Sequence, residues 1–285
     1  VATSILPAAA KSGLIHPTAI VASGARIAPD CRIGPYCIVG PDAVLGAGVE
    51  LISHVVIEGH ATLAEGVRVH PFATIGQAPQ DLKYKGEPTR VEIGARTMVR
   101  EHATIHRGSV SGHGVTTVGA DCMIMVGAHV AHDCILADRV LLANNVLLGG
   151  HVEIEDTVFV GGGAAVHQFV RIGRQSVIGG LSGVEADVIP YGAVLGNRAR
   201  VIGLNQIGLK RRGVARLERH AMRLAFRSLF FGPGSIDERR AAAEAQWPDL
   251  PQLAEILAFL RAPSKRGFCK AGRAALVEDD DAGEA

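Results

Sequence analysis

Residues 15–45 read IHPTAIVASGARIAPDCRIGPYCIVGPDAVL, and every sixth position is aliphatic: Ile15, Val21, Ile27, Ile33, Val39, Leu45. The beat runs on without a miss through Leu51, Ile57, Leu63 and Val69 to Ile75. Four residues after each aliphatic comes something small, as at Ala19, Ala25, Cys31, Cys37 and Ala43. A helix repeats every 3.6 residues and an ordinary strand every 2, so neither makes this pattern. A fixed six-residue repeat marks a solenoid, the hexapeptide parallel β-helix.

The register breaks after Ile75, resumes at Ile93, Val99 and Ile105, and breaks again after Val110. From Val118 it continues to Val184, with a degenerate unit at Pro190. Three short sides per turn make coils of 18 residues, and the 27 units, the degenerate one included, fill nine of them. The aliphatic residue fills the interior, the small one sits where the chain turns inward, and Gly, Asn and Asp take the corners. Neighbouring coils pair as parallel strands roughly 4.8 Å apart. Residues 18 apart, with no insertion between them, therefore share a column.

Around this solenoid the sequence divides into an N-terminal extension (1–14), the β-helix (15–196) with insertions at 77–90 and 111–117, a C-terminal helical domain with a basic junction (197–277), and an acidic tail (278–285) expected to be disordered. In the helical domain Ala221, Met222, Ala225, Phe226, Leu229 and Phe230 form one apolar face. Gly232-Pro233-Gly234 stops that helix, Ser235 to Glu238 reads as a capping box opening another, and Leu253 to Leu260 forms a third apolar stretch.

The formal net charge of the 285 residues is +1, which implies no nucleic-acid partner. No run approaches the ~20 apolar residues of a membrane span, and residues 1–14 lack the apolar core of a signal peptide. The expectation is a soluble, cytoplasmic chain. Cys31, Cys37, Cys122 and Cys134 occupy the small inward position and read as packing residues; Cys269 has no partner pattern.

The chemistry is expected in the interruptions and the histidines. QAPQDLKYKGEPTR (77–90) gathers Asp81, Lys83, Tyr84 and Lys85 into a loop thrown out of a rigid scaffold, where binding residues collect. His129, His132, His151 and His167 fall within about two coils. His132 lies two past Val130, off the core-facing position, and Asp133 follows it. One coil on from His132 lies Gly150, whose backbone N–H can approach a ligand closely. A histidine beside a backbone donor is what acyl transfer to a hydroxyl requires: a general base and a donor for the developing oxyanion. Spacing alone leaves this reading beside one of solvated surface histidines. A zinc site from His129, His132 and His151 competes, but it gives Asp133 and Gly150 no role, and residues three apart on an extended chain point different ways. Arg198, Arg200, Lys210, Arg211, Arg212 and Arg216 form either a solvated basic face or a phosphate clamp.

Across nearly the whole chain the sequence resembles the UDP-N-acetylglucosamine O-acyltransferases of lipid A synthesis in Gram-negative bacteria. The resemblance rests on QDLKYKGEPTRVEIG (80–94), TIHRG (104–108), AHVAHDC (128–134), LANN (142–145), AVHQF (165–169) and GLKRRG (208–213). It implies a left-handed β-helix, against the usual right-handed crossover, assembled as a homotrimer with active sites between subunits. It also implies transfer of an (R)-3-hydroxyacyl chain from acyl carrier protein to the 3-hydroxyl of UDP-GlcNAc. This would be the first step of the pathway, with no cofactor and no metal. The family's base falls on His132, with Asp133 orienting it and the Gly150 backbone as oxyanion donor. Substrate contacts fall on Asp81, Lys83, His106, His129, His151, His167, Gln168, Asn205, Arg211 and Arg212, the arginines on phosphates. Gly180 matches the position that limits acyl depth, which implies a chain of about C12 to C14 rather than C10. The sequence departs from the family at Ile207, where an acidic residue is common, so nucleoside contacts are expected to differ. Alternatives are a related hexapeptide enzyme, namely the later N-acyltransferase or a zinc carbonic anhydrase, and a non-catalytic scaffold. The N-acyltransferase would carry a further domain before its hexads.

Overall fold

In the computed structural model, which describes residues 14–272, the hexads wind into a three-sided solenoid. The expected tail at 278–285, and residues 1–13 of the expected extension, lie outside the described residues. Each coil gives one short strand to each of three sheets, of 9, 8 and 10 strands. The first side carries Ile20–Val21 to Gly183–Val184, the second Arg26–Ile27 to Arg171–Ile172, and the third Arg32–Ile33 to Gly192–Leu195. The 18-residue column holds wherever the beat is unbroken: Ile20 pairs with Ile38, and His129 with Leu147. Across the interruptions Ile75 pairs with Ile105 and Ile105 with Val130, so the inward column stays in register, with one bulge at Gly76 where the longer insertion leaves the stack.

The beat maps directly onto burial. Ile57, Leu63, Ile75 and Ile105 have no exposed surface, and neither do the small-position residues Cys37, Ala43 and Val49. Each fully buried aliphatic contributes roughly 1.5–3 kcal/mol. Corner geometry accounts for the positive-φ residues. Apart from Tyr191, every non-glycine with positive φ stands three places after an inward aliphatic, including Asp133, His151 and Phe169. Such a conformation costs about 1–2 kcal/mol per residue, and it is tolerated because the coils above and below fix it.

The solenoid ends differently from its sequence pattern. At the degenerate unit, Gly192–Leu195 pairs in parallel on Val177–Ile178, and Arg200–Leu204 then returns antiparallel along it. Four helices follow: α1 (Gln206–Arg211), α2 (Arg216–Phe231), α3 (Ile236–Gln246) and α4 (Pro251–Arg261). The Met222, Ala225, Phe226 and Leu229 face of α2 is buried, Ser235 and Glu238 complete a capping box, and Pro251 opens α4. After α4 the chain doubles back onto the solenoid, where Asp187 bridges to Phe268 and Val201 to Ala271. Asp187 is fully buried and accepts from Arg171 N at 2.9 Å and Arg171 Nε at 2.8 Å, which anchors this return.

Candidate active site

His132 and Gly150 meet where the column rule puts them, at the corner between the first and second sides. A Cβ on Gly150 would lie 2.7 Å from His132 Cε1 and 2.8 Å from Nε2, so only glycine fits under the ring. The Gly150 backbone is not left-handed; proximity to the imidazole demands the glycine. Pro17, Pro29, Pro35, Pro41 and Pro71 occupy the same hexad position in other coils. The solenoid thus needs no N–H there, and that of Gly150 has no acceptor among the described residues. It is a donor left free beside an imidazole.

His132 is mostly covered, with 15% of its side chain exposed, and its Nδ1 lies 2.8 Å from Asp133 Oδ2. That contact fixes the ring and leaves Nε2 as the free nitrogen. Asp133 is wholly buried, and burial alone would raise its carboxyl pKa. Hydrogen bonds from His132 and Ser109 outweigh burial and hold it down to about 2. His151 stands one coil on, its Nε2 4.0 Å from the same carboxylate oxygen and its ring edge-on to His132. Burial lowers the His151 pKa. Its other face stacks on Phe169 at 4.4 Å, and Lys265 from the returning segment caps Phe169 at 4.4 Å. Ser111, His113, His151, Phe169, Arg171 and Lys265 line a cleft of about 420 Å³ behind the dyad.

A second imidazole pair lies on the first side. His129 Nδ1 lies 2.7 Å from Thr104 Oγ1, and the His106 ring packs edge-on against it at 4.8 Å. Burial lowers both pKa values, that of His106 to about 4, and His106 Nδ1 is buried without a hydrogen-bond partner. Asp81 reaches the same region from the long loop, accepting from Lys83 N at 3.0 Å and from Ser111 Oγ at 3.4 Å. Lys83 is exposed, and Leu82 at the tip has no contact with the rest of its own chain that reduces its exposure.

The remaining expected residues stand apart. His167 and Gln168 are exposed one coil beyond Gly150, and Gly180 lies open except for Gly162 O, 3.2 Å from where its Cβ would be. Asn205 caps α1: its Oδ1 accepts from Gly208 N at 2.9 Å and its Nδ2 donates to Gln175 O at 2.7 Å. Arg211 and Arg212 are exposed in the last turn and C-cap of α1, as are the other four basic residues of the junction. None of these six has a carboxylate partner among the described residues. Within one protomer no hydrogen bond, ion pair or ring contact joins Asn205, Arg211 or Arg212 to His132. Ile207 is 68% exposed.

The donor chemistry fits a metal poorly. His132, Asp133 and His151 do bring one ligand atom each within 4.8 Å of one another. However, Asp133 Oδ2 already takes Ser109 Oγ at 2.6 Å and His132 Nδ1 at 2.8 Å, while Oδ1 takes the His113 and Gly114 N–H groups. A carboxylate so engaged has no lone pair to offer a cation. His129 faces Thr104 and is no part of that group.

Comparison with known proteins matches this architecture along the chain. Residues 115–150 match the bacterial transferase hexapeptide model (six repeats), and residues 187–269 match the second domain of UDP-N-acetylglucosamine O-acyltransferase. An acyl-[acyl-carrier-protein]–UDP-N-acetylglucosamine O-acyltransferase of Caulobacter vibrioides is 52% identical over 255 residues, covering 90% of this chain and 97% of the relative. The chain belongs to the UDP-N-acetylglucosamine O-acyltransferase family. It is an acyltransferase. A member from Azorhizobium caulinodans is 49% identical over 94% of this chain and 98% of the relative. Among solved structures, the Moraxella catarrhalis enzyme superposes with a TM-score of 0.86 at 40% identity, covering 90% of this chain and all of that one (100%). An Arabidopsis member gives 0.80 at 34% identity, over 90% and 100% of the two chains.

Sequence reasoning missed Ser109, Gly112, His113, Thr104, Phe169 and Lys265. The one signal for the first three was the interruption at 111–117, which interrupts the beat directly upstream of the dyad.

Proposed function

We propose that this acyltransferase moves an (R)-3-hydroxyacyl chain from the thioester of acyl carrier protein to the 3-hydroxyl of UDP-N-acetylglucosamine, opening lipid A synthesis. The observation that carries the chemistry is the His132–Asp133 dyad with the free N–H of Gly150 against it. His132 Nε2 takes the sugar hydroxyl proton as the oxygen attacks the thioester carbonyl. The Gly150 N–H donates to the oxyanion of the tetrahedral intermediate. Collapse breaks the C–S bond, and the imidazolium returns its proton to the pantetheine thiolate. The steps are redox-neutral and balance without metal or cofactor.

Substrate roles belong to the same proposal. Asp81, His106, His129 and His151 surround the dyad, and the exposed Lys83, His167 and Gln168 are assigned to parts of the substrates that extend beyond it. Arg211 and Arg212 are unpaired cations suited to a diphosphate. Since they do not reach His132 in their own chain, they serve the site of a neighbouring copy. Support for a homotrimer comes from the outer face of the first side. Its column reads Ile20, Ile38, Val56, Thr74, Thr104, His129, Leu147, Ala165, Gly183, without one acidic or strongly basic residue. The other two sides carry Arg26, Glu92 and Glu153, and Arg32, Glu50 and Arg68, at equivalent positions. An uncharged stripe roughly 40 Å long at the strand spacing is the surface to bury against a copy.

No helix among the described residues is long and apolar enough to cross a membrane. The cytoplasmic setting is part of the proposal, supported by five unpaired, buried thiols. The test is to incubate the protein with 3-hydroxyacyl carrier protein and UDP-GlcNAc and follow acyl-sugar nucleotide by mass spectrometry. Product bearing one ester-linked chain is expected; hydrolysis of the thioester without transfer would refute the acceptor assignment. Light scattering on Ile38→Glu/Leu147→Glu should show loss of the trimer.

A further inference from the structure

The second break in the six-residue beat folds into a collar around one carboxylate. Ser109 reaches Asp133 twice: its N–H lies 3.1 Å from each oxygen and its hydroxyl donates to Oδ2 at 2.6 Å. The N–H groups of His113 and Gly114 close on Oδ1 at 2.8 and 3.1 Å. Gly112 sits between, where any Cβ would collide with the Asp133 carboxyl and the His151 ring. Thr116 Oγ1 accepts from the Asp133 N–H at 2.8 Å, so the strand after the loop holds the same residue from behind. A solvated surface loop requires none of these contacts.

These donors act on more than the carboxylate. Their positive ends point at Asp133 and therefore also toward the imidazole 2.8 Å beyond it. They stabilise the carboxylate charge while weakening its hold on a second proton at His132. A bare buried carboxylate would keep the neighbouring ring as imidazolium, which is useless as a base at neutral pH. One saturated with donors orients the ring while pulling less strongly on its proton.

We propose that the Ser109–Gly114 loop is a positioning element, with Ser109 its principal donor, that saturates Asp133 and so orients His132 while loosening the carboxylate's pull on the imidazole proton. This rests on His132 being the general base. Other groups also face His132: His151 from the next coil, His106 and His129 from the first side, and Asp81 from the long loop, while His113 and Lys265 act on His151 behind it. None is removed by a change at Ser109, but its hydroxyl also meets Ser111 Oγ at 3.1 Å, which reaches Asp81 at 3.4 Å, so Ser111→Ala measured alongside separates that arm from the collar.

The test is the pH profile of kcat/KM for wild type, Ser109→Ala, Ser109→Cys and Ser109→Thr, with the His132 ring titrated by NMR in each. Without the hydroxyl the acid limb and the His132 titration are expected to rise together by roughly half a pH unit or more. The deficit at neutral pH, about two- to threefold for a half-unit shift, should then narrow as pH rises. Ser109→Cys, which keeps volume but donates weakly, should behave alike even if the alanine variant folds poorly. Ser109→Thr should restore both limb and titration. A uniform loss of rate with an unmoved limb and an unmoved His132 titration would overturn the proposal, as would failure of threonine to rescue. The NMR titration does not depend on turnover, so an error in the transfer reaction itself would show separately, as a wild type without activity.

Discussion

Gly150→Ala tests the joint geometry of base and oxyanion donor with one methyl group. The backbone at 150 is not left-handed, so alanine costs little in the main chain. The new Cβ would lie 2.7 Å from His132 Cε1 and 2.8 Å from Nε2, well inside van der Waals contact. The imidazole must move by something approaching 1 Å, because Asp133 behind it is buried and fixed by its own donors. The N–H of residue 150 stays in place. A misplacement of about 1 Å typically costs on the order of 100-fold in rate, or about 2.7 kcal/mol of barrier. The assay is single-turnover transfer from 3-hydroxyacyl carrier protein to UDP-GlcNAc, alongside a thermal melt. The expected result is a roughly 100-fold slower chemical step with a melting temperature within a few degrees of wild type. A variant within threefold of wild type would refute the placement of His132 over this glycine as the working geometry.

Other perturbations reach separate parts of the structure. Gly180→Met adds bulk where a Cβ already lies 3.2 Å from Gly162 O, so donor preference should move from C12–C14 toward C10. At about 0.8 kcal/mol per CH₂, two carbons correspond to roughly 15-fold in selectivity, read by competing donors; an unchanged preference for the long chain would sink the depth assignment. For His106 the folded pKa is depressed to about 4 by burial, so the unfolded chain takes up the proton first as pH falls. Its contribution is therefore a loss of stability that begins near pH 6.5 and is complete near 4, about 3 kcal/mol in all. Denaturant melts of His106→Phe should show less acid destabilisation than wild type across that window, and parallel curves would contradict the burial of a neutral ring.

The six-residue beat made the solenoid legible because every unit reports its own side of a coil, so even the interruptions could be located. The same counting placed His132 over Gly150, since no insertion separates them. It failed wherever contacts jump out of the column. Ser109 and Asp133 lie on either side of an insertion, so position in the beat says nothing of where the loop folds, and the stretch reads as surface. Lys265 meets Phe169 only because Asp187 anchors the returning segment at Phe268, a contact with no local pattern. Helix α1 is six residues long, too short for a period to show, and the amide of Asn205 is used to cap it. Arg211 and Arg212 were recognisable by type as candidates for a phosphate clamp, but the sequence could not show that they stand away from their own chain's dyad.

The central claim is that His132, poised by Asp133, removes the acceptor proton. The direct measurement is the transfer rate of His132→Ala against wild type with 3-hydroxyacyl carrier protein and UDP-GlcNAc. A general base contributes typically 10²–10⁴-fold, so the variant is expected to lose about that factor in kcat. Its apparent affinity for the sugar nucleotide should stay nearly unchanged. A His132→Ala enzyme that transfers at the wild-type rate would contradict the account.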